Sequence, residues 1–323
     1  MQLAMDWHRS RALAIWTRVM ALAAVVAFLL TMASPARSAP IRVRDARGKL
    51  FVASTPPKRI VSVAPANTEI LFALGLGPRV VGVTDYCDYP PQARKLPKVG
   101  GVQLNYERIL SLRPDMILAT VNLQAGAIAR MDALHLRVFA IDPHTVAETI
   151  GAIQLVGRAT GTEQAAHAVA RRMRATLAGI RRPPPGKRLR VLNIIQLQPL
   201  IVAGPGTFMD DCIRLAGGVN VAADAKAPYP TFSVEEAVLR KPQVILTAKR
   251  NLAALRSSPV WRTVPAVANG HIYSPDPDLL ERPGPRVVDG VALLAGILRR
   301  AAAAPKAHVA GARGALLAPG KPA

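Results

Sequence analysis

Apolar positions along this chain recur with two periods, and the sequence of periods itself repeats. Residues 107–118 read Glu-Arg-Ile-Leu-Ser-Leu-Arg-Pro-Asp-Met-Ile-Leu, and residues 235–246 read Glu-Glu-Ala-Val-Leu-Arg-Lys-Pro-Gln-Val-Ile-Leu. Each copy predicts a short amphipathic helix, a proline that stops it (Pro114, Pro242), and a buried strand. Helix, turn and apolar strand in one run is the pattern of an α/β layered lobe. Two copies predict two lobes of one kind, with a cleft between them.

Flanking segments fill in both lobes. Strands are predicted at 59–63, 80–84, 137–141, 189–195, 200–203 and 271–273, with Asn67 as N-cap of a helix over 68–74. A helix over 144–159 closes at Gly161. A second, Ala- and Arg-rich helix runs from Thr162 to Arg181 and ends at Pro183-Pro-Pro-Gly186. Lying between the two copies, it is the expected connector, stiff where a Gly/Ser tether would be loose. The expected organisation is a signal peptide over 1–38, an N-terminal lobe over 39–160, a linker helix over 161–186, a C-terminal lobe over 187–302, and a disordered Ala/Gly/Pro-rich tail over 303–323.

The N-terminus has the layout of an export signal. Arg9, Arg11 and Arg18 precede an uncharged apolar run from Val19 to Ala33, and Ala36-Arg-Ser38 offers small residues for cleavage before Ala39. The run is short for a membrane span, and no cysteine near the cut offers an acylation point. A soluble exported protein is expected, periplasmic where the cell has two membranes. Cys87 and Cys212 fall one in each lobe, and a bond between them would lock the cleft, so free thiols are expected.

Charge changes the picture little. Residues 1–38 carry a net +3, so the remainder keeps +19 of the chain's +22. The basic residues are dispersed, with Arg-Arg pairs at 171–172, 181–182 and 299–300 but no basic tract interleaved with aromatics, and no nucleic-acid motif. A nucleic-acid partner is therefore not expected. Serine-nucleophile, dinucleotide and P-loop signatures are absent, and Gly204-Pro-Gly206 lacks the Lys-Ser/Thr of a phosphate cradle. The histidines show no metal spacing. An exported α/β enzyme would need Asp85 or Asp211 to act with a bound metal. No catalytic residue or metal ligand is assigned.

Ligands of open α/β sheets bind beyond the carboxyl ends of strands. The loops there carry Pro65, Ala66, Asn67, Tyr86, Gly101, Thr120, Asn122, Gln198, Tyr229 and Asp276, which form the expected ligand-binding set. Tyr86 and Tyr229 suit stacking on a flat, partly apolar ligand.

Three N-terminal motifs sharpen this. Arg59-Ile-Val-Ser-Val-Ala-Pro-Ala-Asn-Thr-Glu-Ile-Leu71, Val81-Gly-Val-Thr-Asp-Tyr-Cys-Asp-Tyr-Pro-Pro91 and Leu96-Pro-Lys-Val-Gly-Gly101 resemble the cobalamin-binding periplasmic proteins, within the wider iron-siderophore, haem and cobalamin carriers of ABC importers. Pro228-Tyr-Pro230, Glu235, Pro242-Gln-Val-Ile-Leu246 and Glu281-Arg-Pro-Gly-Pro-Arg286 extend the likeness over roughly residues 58 to 300. The resemblance implies two Rossmann-like α/β lobes with central sheets, joined by a single long helix, with little hinge motion. It implies a monomeric, non-enzymatic carrier that takes cobalamin or a related corrinoid, no cofactor acting as catalyst, and delivery to an ABC permease and its ATPase. A ferric siderophore or haem is the alternative cargo. Contact with the membrane would come only through the permease. It also implies one docking glutamate per lobe, matched here by Glu107 and Glu281. Tyr229 stands where those carriers place a cleft tryptophan; after residue 38 the chain has only Trp261.

Overall fold

The structure is a computed structural model that describes residues 40–184 and 186–304, together with Trp16 and Met20. The expected signal peptide and most of the expected tail lie outside the described residues.

An antiparallel hairpin opens the main body, β1 (Ile41–Arg44) against β2 (Leu50–Ala53). Buried Asp45 accepts hydrogen bonds from the Arg47 and Lys49 amides at 2.9 and 3.0 Å and from the Ala140 amide at 3.2 Å, which pins the hairpin to the lobe behind it.

The N-terminal lobe follows: β3 (Ile60–Ser62), α1 (Pro65–Ala73), β4 (Val80–Val83), α2 (Tyr106–Ser111), β5 (Met116–Thr120), α3 (Val121–Ala133) and β6 (Val138–Ile141). Its four strands are parallel in the order β4-β3-β5-β6. The chain enters at β3, adds β4 on one side and β5 on the other. Between β3 and β5 the loops leave in opposite directions and open a crevice. Helix α1 starts earlier than expected. Pro65 occupies its first position and Ala64 is the N-cap, so Asn67 is an interior residue and not the cap. Proline needs no amide partner there and has its φ preset for a helix.

Helices α4 (Val146–Thr160) and α5 (Glu163–Gly179) carry the chain onward. Gly161 ends α4 in the left-handed region at φ 68°, which glycine adopts without a Cβ clash. The helix expected between the repeats is α5, which packs against α4.

The C-terminal lobe holds β7 (Arg190–Gln196), β8 (Ile201–Val202), α6 (Phe208–Leu215), β9 (Val219–Asn220), α7 (Val234–Leu239), β10 (Val244–Thr247), α8 (Leu252–Ser257), α9 (Pro265–Ala268), β11 (Ile272–Tyr273), α10 (Pro277–Leu280) and α11 (Val287–Ala303). Strand β7 pairs in parallel with β10 and β9, β10 pairs with β11, and β8 folds back antiparallel on β7. The order β9-β7-β10-β11 repeats β4-β3-β5-β6.

The repeat extends to individual hydrogen bonds. Asn105 caps α2 by accepting from the Arg108 amide at 2.8 Å, and Ser233 caps α7 by accepting from the Glu236 amide at 3.0 Å. Arg113 and Lys241, each just before the stopping proline, both adopt positive φ, at 46° and 44°. Arg59 Nε donates to the Leu112 carbonyl at 3.0 Å, and Arg190 Nε donates to the Arg240 carbonyl at 2.9 Å.

Both sheets are covered on both faces, as parallel strands require. In β5, Ile117 and Ala119 point to an outer N-lobe cluster, while Met116 and Leu118 point to a core shared by both lobes. That core runs from Phe139 through Met173 of α5 and Leu294 of α11 to Val191 and Leu246. Charged groups tie the lobes as well. Glu69 of α1, 2% exposed at its side chain, receives Arg286 Nη2 at 2.6 Å and Nε at 2.9 Å. Arg282 bridges Asp88 of the N-lobe at 2.8 Å and Asp278 at 2.7 Å. Asp211 of α6 accepts from the Val146 amide at 2.9 Å and so caps α4 across the lobes.

Candidate functional site

The carboxyl ends of both sheets open on one cleft, which holds two adjoining cavities. One, of about 480 Å³, is walled by Asn122, Leu123 and His144 from the N-terminal lobe and by Phe208, Tyr229 and Glu281 from the C-terminal lobe. The other, also about 480 Å³, lies over the ends of β7 and β10 and includes Asn193, Thr247, Lys249, Arg250 and, again, Glu281. A larger cavity of about 640 Å³ lies beside α1 and is bordered by Glu69, Tyr89, Arg172 and Arg286. It shares none of these residues with the cleft and is not at the strand ends. The cleft is the better candidate, because it lies at the carboxyl ends of the strands, where ligands of open α/β sheets bind.

Apolar side chains stand exposed around these strand ends: Tyr86 at 56%, Val102 at 88% and Leu123 at 68% on the N-terminal lobe, and Tyr229 at 60% on the other. Tyr86 and Gly101 are neighbours; a Cβ on Gly101 would approach the Tyr86 ring to 3.2 Å. The glycine lets that ring lie flat along the loop.

Several expected ligand residues are placed elsewhere. Asn67 is fully buried and donates to the Leu118 carbonyl at 3.1 Å, while its oxygen accepts from Thr120 Oγ1 at 3.1 Å. The two residues satisfy each other and bind α1 to β5 behind the cleft wall. Ala66 is buried beneath Gly284. Pro65 starts α1. Asp276 is the exposed cap of α10, accepting from the Asp278 amide at 2.9 Å. Gln198 is exposed in the turn between β7 and β8, where its carbonyl accepts from Gln196 at 2.9 Å. The structure therefore brings together Asn122 and Tyr229 from the expected set, with Tyr86 and Gly101 on a nearby loop.

Glu281, matched to docking by resemblance, is exposed and stands on the boundary between the two cavities. Desolvation there, with Asp278 adding like charge, raises its carboxyl pKa. Glu107 is exposed in the first turn of α2. The position 128 residues on, Glu235, is exposed in the first turn of α7. Its own amide and the Ser233 hydroxyl hold its carboxyl below the usual range. Glu107 and Glu235 thus occupy equivalent positions of the repeat.

Histidine spacing gave no hint of His144, which lies in the cleft with Nε2 3.3 Å from Asp142 Oδ2. The carboxylates an enzyme would need are apart: Asp211 caps α4 and pairs with Arg214, and Asp85 lies beside Gly101. Among the described residues no group of three or more His, Cys, Asp or Glu is placed to hold a metal ion. Both cysteines are buried and unpaired, and burial, with Asp211 adding to it, raises the Cys212 thiol pKa. No described helix is long and apolar enough to cross a membrane.

Comparison with known proteins agrees with this arrangement. The family model for periplasmic binding proteins matches residues 60–279. An uncharacterized ABC transporter substrate-binding lipoprotein, YvrC of Bacillus subtilis, is 32% identical over 79% of this chain and 84% of its own length. The crystal structure of the periplasmic vitamin B12 binding protein BtuF of Vibrio cholerae superposes with a TM-score of 0.65 at 32% identity, covering 76% of this chain and 98% of that one. The periplasmic haem-binding protein BhuT, in complex with two haems, gives 0.69 at 31% identity, covering 76% and 99%. The chain belongs to the periplasmic binding protein family, two-lobed solute carriers of ABC importers that work with a permease and an ATPase and are not enzymes.

Proposed function

We propose that this chain captures a corrinoid of the cobalamin class in the cleft, as a monomer, and hands it to its permease after export through a cleaved signal. The observation that carries the reading is the exposed apolar set at the strand ends, Tyr86, Val102, Leu123 and Tyr229. Exposed hydrophobic groups collected from two lobes around one cleft mark a surface that a flat, partly apolar solute covers. The organisation that serves this is a lobe over 39–160, a lobe over 187–302, and α5 within 161–186 as the connector. A core shared by both lobes opposes wide hinge motion.

A second reading, a haem carrier, is favoured by His144. Its imidazole is exposed in the cleft with Asp142 beside it, and a carboxylate on one ring nitrogen orients the other toward a metal. A ferric siderophore would instead use the second cavity, which Lys249 and Arg250 line.

Titration with cyanocobalamin and, separately, with hemin decides between them. One saturable cyanocobalamin site is expected, with Tyr229→Ala weakening it by about 1–3 kcal/mol through lost stacking and burial. Tight hemin binding that collapses in His144→Ala, with no corrinoid binding, would move the assignment to haem.

A further inference from the structure

Buried polar groups in folded proteins are nearly always partnered, so an exception asks for an explanation. Among the described residues one buried side-chain nitrogen has no partner, Nδ2 of Asn193. Asn193 is 5% exposed, sits in β7, and lines the second cavity of the cleft. A donor left unsatisfied inside a protein carries a desolvation penalty that an incoming acceptor would relieve.

The cavity's other polar groups favour the same kind of visitor. Lys249 and Arg250 lie on the short 3-10 turn after β10 and line the cavity. Both are exposed, and neither is ion-paired with a carboxylate among the described residues. The turn that presents them is anchored from below. Buried Asn251 donates to Thr247 Oγ1 at 2.8 Å, and Thr247 Oγ1 donates to the Ile194 carbonyl at 3.3 Å. The cations therefore rise from a fixed base, and such a base keeps a recognition group in position. Glu281 stands on the boundary with the cavity lined by Tyr229 and Leu123, so one solute can reach both spaces.

We infer that the cavity over β7 and β10 is a subsite for an anionic oxygen group, a carboxylate or phosphate, carried by the solute whose apolar body lies against Tyr229 and Leu123. The inference rests on the reading of the cleft as the solute site. It divides the labour of recognition: apolar walls take the body, while Asn193 and the two cations take an acidic appendage. Charge-assisted bonds from lysine and arginine to such an oxygen are the strong members of the hydrogen-bond scale.

Two probes test it. In protein labelled with 15N-asparagine, inorganic phosphate should shift the Asn193 side-chain amide resonance saturably. Chloride at equal ionic strength should not, and Lys249→Ala/Arg250→Ala should abolish the shift. In parallel, hemin is compared with hemin dimethyl ester, and cyanocobalamin with dicyanocobinamide, which lacks the phosphate-bearing loop. At least one acidic member should bind about tenfold or more tightly than its partner. That advantage should vanish in the double variant while the affinity of the acid-free partner stays unchanged. A phosphate shift with no binding by any of the four solutes would leave the anion subsite standing and overturn the tetrapyrrole reading. Equal binding of both members within each of the two pairs overturns the subsite and leaves the carrier reading intact, whatever phosphate does. An advantage that survives Lys249→Ala/Arg250→Ala also overturns the subsite, because the anion is then held elsewhere. No phosphate shift together with no solute binding overturns both.

Discussion

Glu281 shows how one residue's surroundings set its chemistry. Glu281 is exposed, yet it stands between two cavities, where desolvation, and then the charge of Asp278, raises its pKa above the ordinary 4.5. A raised acid pKa means the folded state holds the proton over a range where the unfolded chain has lost it. Stability from this group is therefore fully present below about 4.5 and declines as pH rises through the higher folded value. Glu281→Gln should raise Tm at pH 7, and the gain should shrink to nothing as pH falls below that window. Thermal melts at pH 4 and pH 7 check this, and an equal gain at both would refute it. The same scale shows where sequence reasoning stopped. Tyr229 and Asn122, expected on strand-end loops, line the cleft. Asn67 and Thr120 were expected on the same kind of loop, yet they lie within α1 and at the end of β5 and bond to each other. Nothing in sequence spacing distinguishes a polar side chain turned into the cleft from one turned behind it. His144 was missed for the opposite reason, since a lone histidine has no pattern.

Among the elements, the repeat carries the most information. The strand-helix-strand units were readable from hydrophobic period, and the matching strand orders of the two lobes follow from the repeated unit. The paired capping bonds and the paired positive-φ residues show that the copies agree in local geometry as well as in pattern. Of the short strands, β8 and β11 fall within the expected 200–203 and 271–273, whereas β9 was not legible, because two residues hold no period to read. The repeat also bears on docking. Glu107 and Glu235 occupy equivalent first turns, both exposed, whereas Glu281, exposed as well, lines the cleft. We expect Glu107→Gln/Glu235→Gln to leave Tm and solute affinity unchanged, because exposed carboxylates contribute little to folding. Uptake through the cognate importer should fall at least tenfold, since a lost interface charge can cost about 2–5 kcal/mol when its partner stays buried. Glu281→Gln should do the reverse, altering solute affinity and leaving permease recognition intact. Normal uptake by the double variant, measured in reconstituted vesicles, would remove both glutamates from the docking surface.

At the scale of the whole molecule, the question is what keeps two lobes in one relation. The shared core of α4, α5 and α11 is one answer, legible only as an expectation of a stiff connector. The ion pairs at Glu69 are the other, and no periodicity announces them: the partners are 217 positions apart. Glu69 is almost wholly buried, and the Arg286 guanidinium grips both its oxygens while stacking 3.8 Å from the centre of the Tyr89 ring. The hydrogen bond to Glu69 raises the Arg286 pKa, so the guanidinium stays charged at neutral pH. Removing one member of a buried pair strands the other's charge, which costs about 3–5 kcal/mol. Glu69→Ala should therefore lower the urea midpoint by a corresponding amount. Because the pair joins α1 to the segment before α11, hydrogen exchange should quicken in both places at once, near residues 65–73 and 282–290. A loss below about 1 kcal/mol would show that the pair is not a structural tie. Faster exchange in α1 alone would show that the core holds the lobes together without it.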